Sequence, residues 1–202
     1  LVLHAWWGLN DALKAFCTRL ADAGFVVFAP DLYQGQVAET VAEAELLAHA
    51  LDNRAAQAHA EIAAARSFLV GHASTTDRAP AVIGFSLGAY YALELAVRAP
   101  AQIGRVVIFY GTRPGDDYGQ TRMAFLGHFA ETDEFEPRAG VDALEADLRR
   151  AGCAVDFYHY PDTGHWFFEP DRPDAFNAAA ADLAWARTLA FLQMPAAEVA
   201  QP

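Results

Sequence analysis

The chain has 202 residues, 54% of them hydrophobic and 12% aromatic, and its 26 acidic against 14 basic side chains give a formal net charge of −12 at pH 7. That length suits one domain with a large core. The acidic balance and the scattered basic residues argue against nucleic acid and against an anionic membrane surface, both of which attract clustered Lys and Arg. No apolar run approaches the roughly 20 residues needed to cross a bilayer. The two cysteines, Cys17 and Cys153, suggest neither a disulfide framework nor a metal site, and read as thiols buried in a reduced, cytoplasmic compartment.

In chain order, LVLHA (1–5) is apolar and opens already inside a strand, without a methionine, so the natural N-terminus is expected to lie upstream. A helical segment over 10–23 leads to a second strand, FVVFAP (25–30). The Ala- and Glu-rich stretch 38–70 predicts two helices broken near Asp52 and Asn53; its His49 and His59 are spaced by ten, unlike a ligand pair on one helix turn, and read as part of a solvated face. PAVIGF (80–85) is a strand, 87–99 a helix, RVVIFY (105–110) and MAFLGHF (123–129) two more strands, and 137–151 a helix. AVDFYHY (154–160) is the last strand and 173–193 the last helix, with the tail 195–202 expected to fray. Strands alternating with helices imply parallel pairing, and near-continuous apolarity fits strands covered on both faces. The expected architecture is α/β, a mostly parallel twisted sheet with helices on both faces joined by right-handed crossovers.

GFSLG (84–88) places Ser86 where a strand turns into a helix. At so tight a turn Gly84 and Gly88 have a steric reason to lack side chains, and the serine oxygen would project beyond the sheet. The competing reading makes Ser86 an ordinary helix cap. Its partners decide, because a serine hydroxyl needs a base to take its proton and a carboxylate to orient that base. In a parallel sheet functional groups gather at the C-terminal strand ends. His165 in PDTGHWFFEP and Asp133 in AETDEFEP occupy such loops, in the order Ser, Asp, His. His128, at a strand end, competes as the base. Glu131, Glu134, Glu136 and Asp162 compete as the acid. Oxyanion donors are expected from the backbone N–H groups of Leu87, after the nucleophile, and Trp6, in the turn AWWG.

With these residues assembled, the chain resembles the dienelactone hydrolase family of α/β-hydrolases. The likeness runs through LHAWWGLND, RLADAGFVVFAPDLY, VIGFSLGA, IFYG, LGHFAETDEFEP and YPDTGHWFFEP, nearly end to end. It implies the α/β-hydrolase fold, in which the family's first strands precede LVLHA and are lacking here, with Ser86, Asp133 and His165 as nucleophile, acid and base and Trp6 and Leu87 as oxyanion donors. Three departures from the namesake enzymes stand out. Ser86 replaces a cysteine, Ala5 replaces a glutamate tied to that cysteine, and Gly35 and Glu169 stand where arginines bind an anionic substrate. The loss of both guanidinium forks, with an acidic residue expected near the mouth, points away from dienelactone itself.

Trp6, Trp7, Tyr110, Trp166 and Phe167 are candidate pocket walls, suited to a neutral acyl or aryl group. The expected activity is hydrolysis of a small carboxylic ester or lactone through an acyl-Ser86 intermediate, with no cofactor and no metal. An acyltransferase or thioesterase using the same triad, or a non-catalytic binding protein on the fold, are the other classes to separate.

Overall fold

The computed structural model describes residues 1–72 and 79–195. Five strands, β1 (Val2–Leu3), β2 (Ala81–Phe85), β3 (Arg105–Phe109), β4 (Ala124–Ala130) and β5 (Val155–Tyr160), form one sheet in the order β1-β2-β3-β4-β5, and every pair is parallel. The helices are α1 (Asp11–Asp22), α2 (Val41–Asp52), α3 (Ala55–His72), α4 (Leu87–Arg98), α5 (Arg138–Arg150) and α6 (Ala178–Gln193). A short 3-10 turn over Pro100–Gln102 follows α4.

The unbroken apolarity of the strands has its explanation in two cores, one on each face. Val82, Val106, Ile108 and Phe125 point to one side, against Ile62 of α3, Leu93 of α4 and Leu144 of α5. Their neighbours Ile83, Val107, Phe109 and Leu126 point to the other, against Leu13 and Phe16 of α1 and Trp185 of α6. Alternation of period two thus fills both faces, which only a sheet sandwiched between helices requires. Among the described residues no helix is long and apolar enough to cross a membrane.

The helix starts are locally encoded. Thr40 and Glu43 form a reciprocal capping box at the head of α2, and the Asn10 and Asn177 side chains accept from the N–H groups of Leu13 and Ala180 at the heads of α1 and α6. The expected break at Asp52 and Asn53 is present, with Asn53 closing α2. Two expectations need correction. The segment 25–30 forms no strand. It runs beside β1 and makes one ladder-like bond, Val2 N–H to Phe28 O at 2.9 Å; with β1 only two residues long there is little edge to pair with, and Val26 stays exposed. The last helix starts at residue 178 rather than 173, because Phe176 closes a turn onto Arg172 and Asn177 donates to Phe167 O before capping α6. The tail 196–202 lies outside the described residues.

Of the two cysteines, Cys153 is buried and Cys17 is partly covered; both are free, and burial raises the pKa of both, Cys17 to about 11. Neither presents an activated thiolate.

Candidate active site

Ser86 follows β2 directly and precedes α4, with φ 49° and ψ −111°, a conformation that costs a non-glycine residue about 1–3 kcal/mol. The surroundings enforce it. Ser86 N–H donates to Phe109 O on β3, and its carbonyl accepts from Ala89 and Tyr90 N–H as α4 begins. A Cβ on Gly84 would run into the Gly88 carbonyl, and one on Gly88 into the Leu3 carbonyl, so strand and helix approach too closely for any side chain there. Although Ser86 occupies the cap position of α4, its side chain makes no capping bond. The hydroxyl is instead 3.1 Å from His165 Nε2, which disposes of the capping alternative.

His165 comes from the loop after β5 and Asp133 from the loop after β4. His165 Nδ1 lies 2.7 Å from Asp133 Oδ2, and both side chains are buried. The other carboxylate oxygen, Asp133 Oδ1, accepts from the backbone N–H groups of Phe135 at 2.9 Å and Glu136 at 3.0 Å. Those two bonds fix the carboxylate's rotation. With the N–H of the imidazole on Nδ1, facing Asp133, the Nε2 lone pair faces Ser86.

The competing residues are committed elsewhere. His128 is fully buried between Tyr160, whose hydroxyl meets Nδ1 at 2.7 Å, and Thr188, whose hydroxyl meets Nε2 at 2.9 Å. Desolvation, and secondarily Arg187, lowers its pKa to about 3. Asp162 lies in a left-handed turn whose N–H donates to Glu131 Oε2, so this acidic pair closes the loop rather than facing the imidazole. Glu136 accepts from the Thr112 hydroxyl at 2.6 Å, and burial raises its pKa.

The sequence profile of the dienelactone hydrolase family matches residues 1–195. The chain belongs to that family. A relative from Aquifex pyrophilus, named protein usf, is 31% identical over 96% of this chain and 86% of its own. Among solved structures, m3DLH superposes with TM-score 0.83 at 25% identity, covering 99% of this chain and 85% of that one. A dienelactone hydrolase-like promiscuous phosphotriesterase from metagenomic libraries superposes with TM-score 0.84 at 23% identity over 98% and 84% of the two chains. These likenesses carry the α/β-hydrolase fold.

In this member of the dienelactone hydrolase family, the residues expected as oxyanion donors and pocket walls take the following places. Leu87 is the first residue of α4, where a backbone N–H has no intrahelical acceptor. Trp6 lies in the turn after β1, half-buried, with its ring 6.1 Å from that of Phe135. Phe135 was missed by sequence reasoning. It is 43% exposed and its ring lies 5.0 Å from His165 and 5.2 Å from Trp166, so it forms an aromatic rim beside the base. The only signal available was its position two residues after Asp133. Trp166 is half-buried against Trp7 at 5.0 Å, whereas Trp7, Tyr110 and Phe167 are buried and support the site from behind.

Glu169 requires the largest correction. It was expected near the mouth as a repelling charge, yet it is buried, and it accepts from the Tyr110 hydroxyl at 2.8 Å. Desolvation dominates over that bond and raises its pKa to about 8, so at pH 7 it is mostly a neutral acid. The nearby Arg172 is engaged too, stacked 3.6 Å from the Trp7 ring centre and paired with Asp171 and the Ala38 and Glu39 carbonyls.

Proposed function

We propose that this enzyme hydrolyses small, neutral carboxylic esters or lactones through an acyl-Ser86 intermediate. The observation that carries the reading is the continuous hydrogen-bonded chain from Ser86 Oγ through His165 to Asp133. As Ser86 Oγ attacks the ester carbonyl, its proton passes to His165 Nε2. Asp133 stabilises the imidazolium through Nδ1–H without taking the proton. The oxyanion that forms would be met by the N–H groups of Leu87 and Trp6. Collapse breaks the ester bond, and the proton on Nε2 leaves with the alcohol or, in a lactone, stays on the opened chain. Water activated by the neutral imidazole then attacks the acyl-enzyme and frees Ser86.

Neutrality of the substrate is supported by what the pocket lacks. Gly35 stands at one of the family's arginine positions, Glu169 at the other is a buried carboxyl with a raised pKa, and both terminal nitrogens of Arg172 are engaged by the Glu39 and Ala38 carbonyls and Asp171, leaving only Nε without a partner. A carboxylate substrate would find no free guanidinium fork among these residues. The aromatic rim of Trp6, Phe135 and Trp166 suits an uncharged acyl or alkoxy group. The test is turnover of a panel of chromogenic esters and small lactones, neutral and anionic, by the parent and by Ser86→Ala. The expected outcome is turnover of the neutral members by the parent alone. Identical rates for the two proteins would overturn the reading, and preference for anionic members would overturn its substrate assignment.

A further inference from the structure

Glu169 and Tyr110 are 59 residues apart in sequence, and nothing in the triad itself accounts for their buried bond. Tyr110 follows β3 directly, with φ 35° and its N–H donated to His128 O, so its backbone is fixed to the sheet. Its ring packs 4.9 Å from the His165 ring on one side and 5.5 Å from Phe167 on the other. Glu169 belongs to the turn that carries His165, its N–H donating to Trp166 O at 2.9 Å. Besides the backbone bonds of its first residues to the loop after β4, the imidazole-bearing turn is therefore held through His165 to Asp133 and through Glu169 to Tyr110.

We propose that Glu169 is a positioning residue that, through the Tyr110 hydroxyl, holds the Tyr110 ring against the imidazole and keeps His165 aligned on Ser86. The inference rests on the hydrolase reading above. A carboxyl group serves this purpose as long as it stays in its apolar surroundings. Glu169 lines a cavity with Ala5, Leu13, Phe16, Phe85 and Phe168, where only Asn10 offers another polar side chain. The charged groups acting on it are Asp171, which opposes its ionisation, and Arg172, which favours it; Tyr110 faces it from the residue directly after β3. Burial raises the Glu169 pKa to about 8, and in either protonation state its oxygen accepts from the Tyr110 hydroxyl, so the contact rests on the acceptor rather than on charge.

The test compares Tyr110→Phe, Glu169→Ala, the double variant and Glu169→Gln in the full chain, with fluorophosphonate labelling of the parent as an internal control. Tyr110→Phe changes no carbon position, so it reads the bond without threatening the fold. The expected result is a fall in kcat of about 5- to 10-fold for Tyr110→Phe and for Glu169→Ala, with KM within about two-fold, and no further loss in the double variant. Glu169→Gln, which retains an acceptor oxygen, recovers most of kcat. Parent-like kcat in Tyr110→Phe, additive losses in the double variant, or a kcat in Glu169→Gln as low as in Glu169→Ala would each overturn the assignment while leaving the hydrolase reading intact. A folded parent that neither turns over esters nor labels at Ser86 would overturn both.

Discussion

Two histidines, His128 inside β4 rather than at the strand end expected from the sequence and His165 in the loop after β5, are both buried with a partner for each ring nitrogen. Their chemistry nonetheless differs. His128 meets two neutral hydroxyls, from Tyr160 and Thr188, so burial disfavours its cation and its pKa falls to about 3. His165 meets a carboxylate on one side and Ser86 on the other, so a proton gained at Nε2 has an anion to stabilise it. Burial alone makes a histidine structural. Burial opposite a fixed carboxylate suits it to the role of base proposed for His165.

The comparison can be broken most severely by removing the carboxylate. Asp133→Asn keeps the shape of the site but offers His165 an amide, which permits the wrong tautomer; kcat for a neutral ester is expected to fall by about two to four orders of magnitude. Steady-state kinetics with matched circular dichroism checks it. A second, smaller effect concerns Glu169, a buried acid whose pKa is raised rather than depressed. Between about pH 4.5 and pH 8 the unfolded chain has lost this proton while the folded protein keeps it, so the Glu169 contribution to stability declines as pH rises through that window and levels above it. Denaturant unfolding at pH 5 and pH 8 should therefore show Glu169→Gln gaining on the parent at the higher pH by up to a few kcal/mol.

His128→Phe is expected to destabilise by about 1–3 kcal/mol, since it leaves the Tyr160 and Thr188 hydroxyls without their partner. The kcat of the folded fraction should stay within about two-fold of the parent. The pH dependence has the opposite sign to that of Glu169. The folded pKa of His128 lies below its unfolded value, so its contribution is full above about pH 6.5 and is lost as pH falls toward 3; His128→Phe should remove that part of the acid slope. The smallest effect is expected from Phe135→Ala, which opens the aromatic rim beside His165. KM for an aryl ester should rise about 3- to 10-fold with less change in kcat.

The two-sided sheet was legible because strands buried on both faces have no polar alternation to disguise them, and the Ser86 turn because glycine at 84 and 88 is demanded by backbone contact. The segment 25–30 has the same composition as a true strand, and only the shortness of β1 beside it withholds a ladder. For the base and the acid, sequence could nominate loops but not choose within them. His165 and His128 both follow apolar runs, and Asp133 shares its loop with three glutamates; which side chain turns inward depends on hydrogen bonds such as Phe135 N–H to Asp133 Oδ1. The inward turn of Glu169 was least legible of all, since a charged residue beside a pocket is ordinarily expected to face water, and its partner Tyr110 lies on another strand.

The central claim, that Ser86 is the nucleophile, is tested most directly by reacting the folded protein with a fluorophosphonate probe and mapping the modified peptide by mass spectrometry. The account predicts one stoichiometric adduct on Ser86, absent in Ser86→Ala and formed far more slowly in Asp133→Asn. An adduct on another residue, or none on folded protein, would contradict it.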